Sequence, residues 1–431
     1  MNSAQGTTWS RLNTTPMGHF LENAANYWGA MLIVGILNLS FSVIAARHLG
    51  PTRYGVLAAV VTMINVFLIA ATALTRTVTA HVATSDDRPA AAWFLRRSTA
   101  RAAFAGAVAM AAFGLAATPV ANLLRISPAW IWLAGASLIP ALAGGVTTGI
   151  LQGMRLFLTS GVVNLSASVL KLLTLILLLD AGLGVVGASV ATLVEVTVIS
   201  IVGIAVLGRI LAAVPARQPA HPIAERQRLA SLPTALTVAR LVFFNLDILV
   251  ARHFLGPEAA GLFAALAVTG RIIAYGTGAL PQVVYPYLVR YRKDPALTAR
   301  YLVFCLLATL LIGGGAIAVL TIAPAGVVGL LFGSSFRAIS PYVAWYGLAF
   351  LLYSLAYVIL HYLLALESWW VWVYAVAGGI AEVAAMAVFH HGIGDLTAVE
   401  VVFFACLFLL TSLQAALAFR RERNMVTAMR A

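Results

Sequence analysis

Hydrophobic residues in this chain neither alternate with polar ones nor recur as a narrow stripe. They come in near-continuous runs of about 20 residues, from one end to the other. As a helix rising about 1.5 Å per residue, such a run crosses roughly 30 Å of hydrocarbon. The pattern predicts twelve spans. In the first half they lie at about 25–46, 55–80, 98–122, 129–151, 157–179 and 185–210. In the second half they lie at about 231–253, 259–288, 298–322, 339–366, 369–390 and 397–419. Open sheets cannot satisfy their backbone groups in lipid, and barrel strands would alternate every second residue. The expected fold is therefore an all-α polytopic membrane protein of about twelve transmembrane helices.

Composition agrees. The chain is 62% hydrophobic and only 10% charged, against about 25% charged in a soluble domain. Its net charge of +13 is explained by where the basic residues fall. With the N-terminus inside, eighteen of the Lys and Arg residues lie in inner segments, among them Arg96, Arg97, Arg209 and Arg420. Five lie in outer loops: Arg47, Arg53, Arg125, Arg252 and Arg337. That bias predicts two cytoplasmic termini and an even number of spans, and the skew of 25 Arg to only 2 Lys suggests a GC-rich bacterial genome, hence an expected multi-pass protein of the bacterial inner membrane. The charge then reads as loop charge facing anionic lipid, with no nucleic-acid partner. Cys305 and Cys406 both fall inside spans, so no disulfide framework is indicated. The first 24 residues lack the apolar core of a cleavable signal.

The longest break between spans runs from Ala212 to Arg228 and contains Pro215, Pro219 and Pro222. It divides the chain into a cytoplasmic segment 1–24, an N-lobe 25–211, a linker 212–230, a C-lobe 231–420 and a tail 421–431. No gap could hold a soluble domain and no Gly-x-x-x-x-Gly-Lys-[Ser/Thr] occurs. The expectation is a protein that is not an enzyme, with no cofactor, driven by a gradient.

One phrase occurs twice. Ala46-Arg47-His48-Leu49-Gly50-Pro51 runs into Tyr54-Gly55-Val56-Leu57-Ala58-Ala59. In the second half, Ala251-Arg252-His253 and Gly256-Pro257 run into Ala260-Gly261-Leu262-Phe263-Ala264-Ala265. A self-match at half the chain length indicates two homologous halves. Each half has an even number of spans, so the repeats are parallel, as in transporters that bind cargo between two lobes around a central cavity.

The first copy of that phrase, Asp247 in the seventh span, the second copy and Pro281-Gln282 in the eighth together resemble the polysaccharide-exporter (Wzx-type) branch of the multidrug/oligosaccharidyl-lipid/polysaccharide flippase superfamily. One departure is Ala260 where the first copy has Tyr54. The resemblance implies a flippase moving a prenyl-diphosphate-linked glycan from the inner to the outer leaflet for cell-surface polysaccharide assembly. Its expected partners are that glycan, membrane lipids and glycosyltransferases of the same pathway. A multidrug-type antiporter shares the layout, and a scaffold subunit of an export complex is a third reading.

Charged residues within spans fit a doubly anionic cargo, because each such cation carries an insertion cost of about 2.5–3.5 kcal/mol. Arg271 sits near mid-membrane in the eighth span, where it could hold a diphosphate. Arg76 and Arg240 are nearer the inner surface and are further candidates for substrate binding. Lys171 and Glu195, mid-span in consecutive helices, read as a structural pair. The resemblance implies a sodium or proton coupling site on Asp247 and Glu382, helped by Glu400 or Thr397. The alternative is that Asp247 pairs with Arg240, seven residues before it.

Three further features read as architecture. Trp130, Trp132, Tyr342, Trp345, Tyr346, Trp369, Trp370 and Trp372 cluster at span ends, where amphipathic rings settle at headgroups. His390-His391 with Asp395 lacks the ligand spacing of a metal site. Pro281 and Pro286 should kink the eighth span.

Overall fold

The computed structural model describes residues 16–85, 88–216, 234–292 and 294–430. Among them there are helices and turns and no strands. In chain order the α-helices are α1 (Pro16–Ser85), α2 (Arg88–Trp93), α3 (Thr99–Leu115), α4 (Ala117–Leu124), α5 (Pro128–Ala136), α6 (Leu138–Gly153), α7 (Phe157–Asp180), α8 (Gly184–Ile210) and α9 (234–243). They continue with α10 (Leu246–Phe254), α11 (Pro257–Thr277), α12 (Ala279–Arg290), α13 (Pro295–Ile322), α14 (Pro324–Phe332), α15 (Val343–Ala365), α16 (Trp370–Val388) and α17 (Ile393–Arg430).

Eleven helical stretches among the described residues are long and apolar enough to cross a membrane. The first covers both the first and the second predicted span, because α1 runs through them with a single break in its backbone angles at Gly50 (φ 69°, ψ 171°). Glycine tolerates that left-handed φ, and Pro51 then starts the new helix at the position where its missing N–H does no harm. Pro257 likewise starts α11, but Gly256 before it is in ordinary extended backbone (φ −63°, ψ 161°). The linker 212–230 lies mostly outside the described residues.

The chain groups into two compact units. Among the described residues, one contains 16–41, 70–116 and 132–216; the other contains 42–69, 117–131 and 234–430. In the first unit a row of glycines on α6 brings two helices together. A Cβ at Gly145 would lie 2.7 Å from the carbonyl oxygen of Ala71, and one at Gly149 would lie 2.8 Å from that of Thr75. Gly153 closes the row against Val82. Close approach lets threonines bond across the helices: Thr75 donates to the Gly145 carbonyl at 2.9 Å and Thr79 to the Gly149 carbonyl at 3.2 Å. Small residues at every fourth position are the usual means of helix contact in lipid, where no hydrophobic drive separates helix from solvent.

In the second unit α15 is the central helix. It is apolar all round and nearly every residue is buried, as expected for a helix enclosed by others. It packs against α11, α13 and α17. By contrast α13 exposes Phe304, Leu307, Leu311 and Ile322, which suits a surface facing lipid. Gly313 in α13 would place a Cβ 2.6 Å from Leu351, while Gly314 and Gly315 face open space. Gly313 alone of the three thus serves a close contact, and α13 runs through all three without a break.

Four spans are interrupted among the described residues: the third at Ala116, the fourth at Ser137, and the seventh and eighth nearer the site. The eighth stops at Thr277 and restarts at Ala279, one turn before Pro281. A proline ring clashes with the carbonyl four residues earlier, here Thr277, so the break falls ahead of the proline. Pro286 lies inside α12. The seventh span is interrupted at Phe244–Asn245, between α9 and α10, with no glycine or proline to mark it.

Candidate functional site

The break in the seventh span places Asp247 in the first turn of α10, fully buried. Asn245 fills the gap in the helix ladder. Its side-chain amide donates to the Leu241 carbonyl at 2.6 Å, and its oxygen accepts from Asn65 at 3.1 Å. The Asp247 carboxylate is then saturated. One terminal nitrogen of Arg271 reaches Oδ1 at 2.7 Å and Oδ2 at 2.6 Å. Tyr346 donates to Oδ2 at 2.7 Å, and the backbone N–H of Ile248 donates to Oδ1 at 2.8 Å. Arg271 also lies 5.9 Å from the centre of the Phe244 ring.

Beside this pair are two more carboxyls, Glu382 on α16 and Glu400 on α17. Both are fully buried, and all four of their oxygens lack a hydrogen-bond partner. Glu400 lies within electrostatic reach of Glu382, and both lie within reach of Asp247 and Arg271. Thr397, one turn before Glu400, is buried and bonds only the Ile393 carbonyl at 2.7 Å. Fully ionised, the four groups carry one positive and three negative charges. An uncompensated buried carboxylate is among the most costly groups in a protein. The cluster is therefore chemically incomplete as four ionised side chains. A proton or a small cation held by the two glutamates would complete it, and oxygen ligands suit a hard cation.

Asp247, Glu382 and Glu400 lie within electrostatic reach of one another and of Arg271, with Thr397 one turn before Glu400, but among the described residues no three Asp, Glu, His or Cys side chains are grouped closely enough to hold a metal ion. The partner of Asp247 is Arg271, 24 residues later in the chain; the alternative pairing with Arg240 does not form. Arg271 is buried, with its charge directed at Asp247 and its Nε unpartnered. Arg240 stands apart, half-buried, with its guanidinium 5.5 Å from the Phe244 ring centre. It lines a small pocket with Ala274, Thr277, Gly278, Tyr353, Ser354 and Tyr357, beside the break in the eighth span. Arg76, in the first unit, is exposed.

Sequence reasoning missed Asn245 and read Tyr346 as a headgroup anchor, whereas Tyr346 is fully buried and its hydroxyl donates to Asp247. That reasoning also left Arg271 and Asp247 unlinked, although opposite charges mid-span in consecutive helices were the available signal. The same signal did find Lys171 and Glu195. Their ion pair is 2.8 Å long and buried, with Lys171 also donating to Asn38 at 2.8 Å and Ser168 donating to Glu195 at 2.9 Å. The ammonium lies 4.3 Å from the centre of the Phe41 ring. Lys171→Met should leave Glu195 buried without its cation and destabilise by about 3–5 kcal/mol, whereas Lys171→Met with Glu195→Leu should recover most of that loss. Thermal unfolding in detergent checks both; equal losses would mean that the pair does not act as a unit.

Trp132, Trp345, Trp369 and Trp372 are exposed, as rings at a lipid interface would be. His391 contacts Asp395 at 3.3 Å on the surface, and His390 stacks on Phe254 with ring centres 3.9 Å apart.

No protein-family description matches this chain, and no curated protein matches it in sequence. Solved structures do match in fold. A multidrug resistance MATE family transporter of the MOP superfamily, in its inward-facing conformation, aligns with a TM-score of 0.71 at 15% identity, covering 92% of this chain and 99% of that one. The outward-facing conformation of such a transporter aligns at 0.64 and 14% identity, covering 98% and 99%. A MATE structure in complex with MaD3S aligns at 0.65 and 14% identity, covering 98% and 100%. At these identities the likeness concerns the fold.

Proposed function

We propose that this chain is a cation-coupled membrane transporter of the multidrug/oligosaccharidyl-lipid/polysaccharide superfamily that works by alternating access between two homologous lobes. The observation that carries this is the pair of buried, unpartnered carboxyls of Glu382 and Glu400 beside the Arg271–Asp247 ion pair. A group that must gain and lose a charge to be stable can tie a conformational change to an ion. A ligand shifts such an equilibrium only by its differential affinity for the two states. A sodium ion or proton that binds the glutamates in one state and leaves in the other supplies that difference. Of the expected coupling pair, Glu382 is the main ligand in this reading, with Glu400 beside it, while Asp247, whose oxygens are already filled, acts through its charge.

The cargo we assign is a prenyl-diphosphate-linked sugar or oligosaccharide, carried to the outer leaflet of the bacterial inner membrane. Arg240 now bears more of this assignment than Arg271, whose charge is matched by Asp247. Arg240 combines a cation with tyrosine rings and hydroxyls at Tyr353, Tyr357 and Ser354, a combination suited to phosphate and sugar. Arg76 is exposed at the inner end of its span and supplies a further cation. A second reading, a multidrug-type antiporter, is favoured by the neutralisation of the central arginine. It would take cationic cargo and use the same coupling site.

Proteoliposomes containing a fluorescent prenyl-diphosphate sugar separate the two. Wild type is expected to move the lipid between leaflets in response to a sodium or pH gradient, and Arg240→Ala to lose most of that rate. If wild type leaves the lipid in place but extrudes a cationic dye under the same gradients, the antiporter reading replaces this one.

A further inference from the structure

The repeated phrase brings its two copies face to face. Gly55 and Gly261, which occupy the same place in each copy, meet backbone to backbone. A Cβ on Gly55 would lie 2.9 Å from the Gly261 nitrogen and 3.2 Å from the Pro257 carbonyl oxygen. A Cβ on Gly261 would overlap the Pro51 carbonyl oxygen and lie 3.1 Å from the Gly55 nitrogen. The contact is reciprocal, with each glycine set against the helix-opening proline of the other copy. Neither position admits a side chain while the copies stay in contact.

The two arginines of the phrase are reciprocal as well. Arg47 of the first copy donates through Nε to the Leu331 carbonyl at 2.9 Å and through a terminal nitrogen to that of Leu330. Those carbonyls end α14, a short helix of the second half. Arg252 of the second copy donates through Nε to the Leu124 carbonyl at 3.0 Å and through a terminal nitrogen to that of Arg125 at 2.9 Å. Those carbonyls end α4, a short helix of the first half. His253 adds a bond to the Leu123 carbonyl at 2.6 Å. Each short helix stops at a residue with positive φ, Arg125 at 50° and Gly333 at 90°. The last carbonyls of a helix have no partner within it and carry the negative end of its dipole, so they hold a guanidinium well. Each arginine thus reaches from its own half into the other.

We propose that the repeated Arg-His and Gly-Pro phrase is a latch that holds the two sequence halves together at their outer ends. Opening the outer side requires Arg47 and Arg252 to leave these carbonyls and Gly55 to part from Gly261. The inference rests on the alternating-access reading and on the orientation drawn from the basic loops. The two arginines rest on backbone carbonyls and not on acidic side chains. The released carbonyls and guanidinium groups can be met by water, which keeps the closed state only modestly favoured.

The test is a distance measurement that needs no cargo. Thr52 and Glu258 are exposed, each next to its helix-opening proline. Spin labels are placed on both in a Cys406→Ser background, since Cys305 is buried and Cys406 exposed. Wild type should give mainly one short distance. Arg47→Ala removes an exposed side chain and spares the core, and should raise the longer-distance population about tenfold relative to wild type. Adding Arg252→Ala should raise it further. An unchanged distribution in Arg47→Ala and in the folded double variant would overturn the latch. Two interconverting distances without sugar flipping would keep the latch and reject the cargo. Sugar flipping with a distribution that Arg47→Ala does not move would reject the latch alone.

Discussion

Replacing Glu382 by glutamine is expected to abolish gradient-driven transport while leaving thermal stability unchanged or raised. The two halves of this prediction have one cause. Glu382 is fully buried, neither oxygen has a hydrogen-bond partner, and Asp247, Glu400 and Arg271 lie within its electrostatic reach. As an anion it opposes its neighbours; as an amide of the same shape it does not. A buried charge without a partner carries a desolvation penalty of several kcal/mol, so a neutral group of the same shape should cost no more than the carboxylate it replaces. What the amide cannot do is release a proton or neutralise a cation. Uptake or flipping into proteoliposomes under a sodium or a pH gradient should therefore fall to the level of empty vesicles. The unfolding temperature should not drop. A variant that loses activity together with several degrees of stability would make Glu382 a structural group. Full, gradient-dependent transport in Glu382→Gln would end the coupling proposal. Glu400→Gln should behave alike but more mildly, because Glu382 then remains to hold the ion.

Replacing Arg271 by methionine should have the opposite signature. Here a cation is removed from a cluster that already holds three acidic groups. Asp247 keeps Tyr346 and the Ile248 amide but loses both short bonds to the guanidinium. Breaking one side of a buried pair typically costs about 3–5 kcal/mol, so a large loss of thermal stability is expected. Pairing Arg271→Met with Asp247→Asn should return most of it, since the amide leaves no orphaned charge. The pair of variants also speaks to mechanism. If Arg271 were a diphosphate ligand and nothing more, the single variant would lose transport with its stability intact. Thermal unfolding of the single and double variants, followed by flipping of the sugar lipid, distinguishes these outcomes.

Much of this protein is legible in its sequence. Runs of about 20 apolar residues fix an all-helical membrane fold, because lipid leaves backbone groups no alternative partner. The spans at 157–179, 185–210, 298–322 and 369–390 correspond closely to α7, α8, α13 and α16. Gly-Pro announced two helix starts, at Pro51 and Pro257. Lys171 and Glu195 could be paired because each is costly alone and each lies mid-span in a neighbouring helix. The carboxyls of the candidate site were nameable for the same reason: a charged residue inside a span demands an account.

Other features were decided only by packing. The seventh span reads as one helix, yet it breaks at Phe244–Asn245, where no residue forbids helix and Asn245 substitutes its own amide for the missing ladder bonds. That break turns Asp247 toward Arg271 and Tyr346, and a seven-residue spacing from Arg240 says nothing once the helix is not continuous. The repeat was visible as a repeat, but not that its two copies touch. Contact between Gly55 and Gly261, and the reach of Arg47 and Arg252 to carbonyls in the opposite half, join residues about two hundred positions apart. Local sequence determines where helices begin, how long they run and what they exclude. Which buried charge meets which depends on how helices distant in the chain are packed, and only the tertiary structure supplies that.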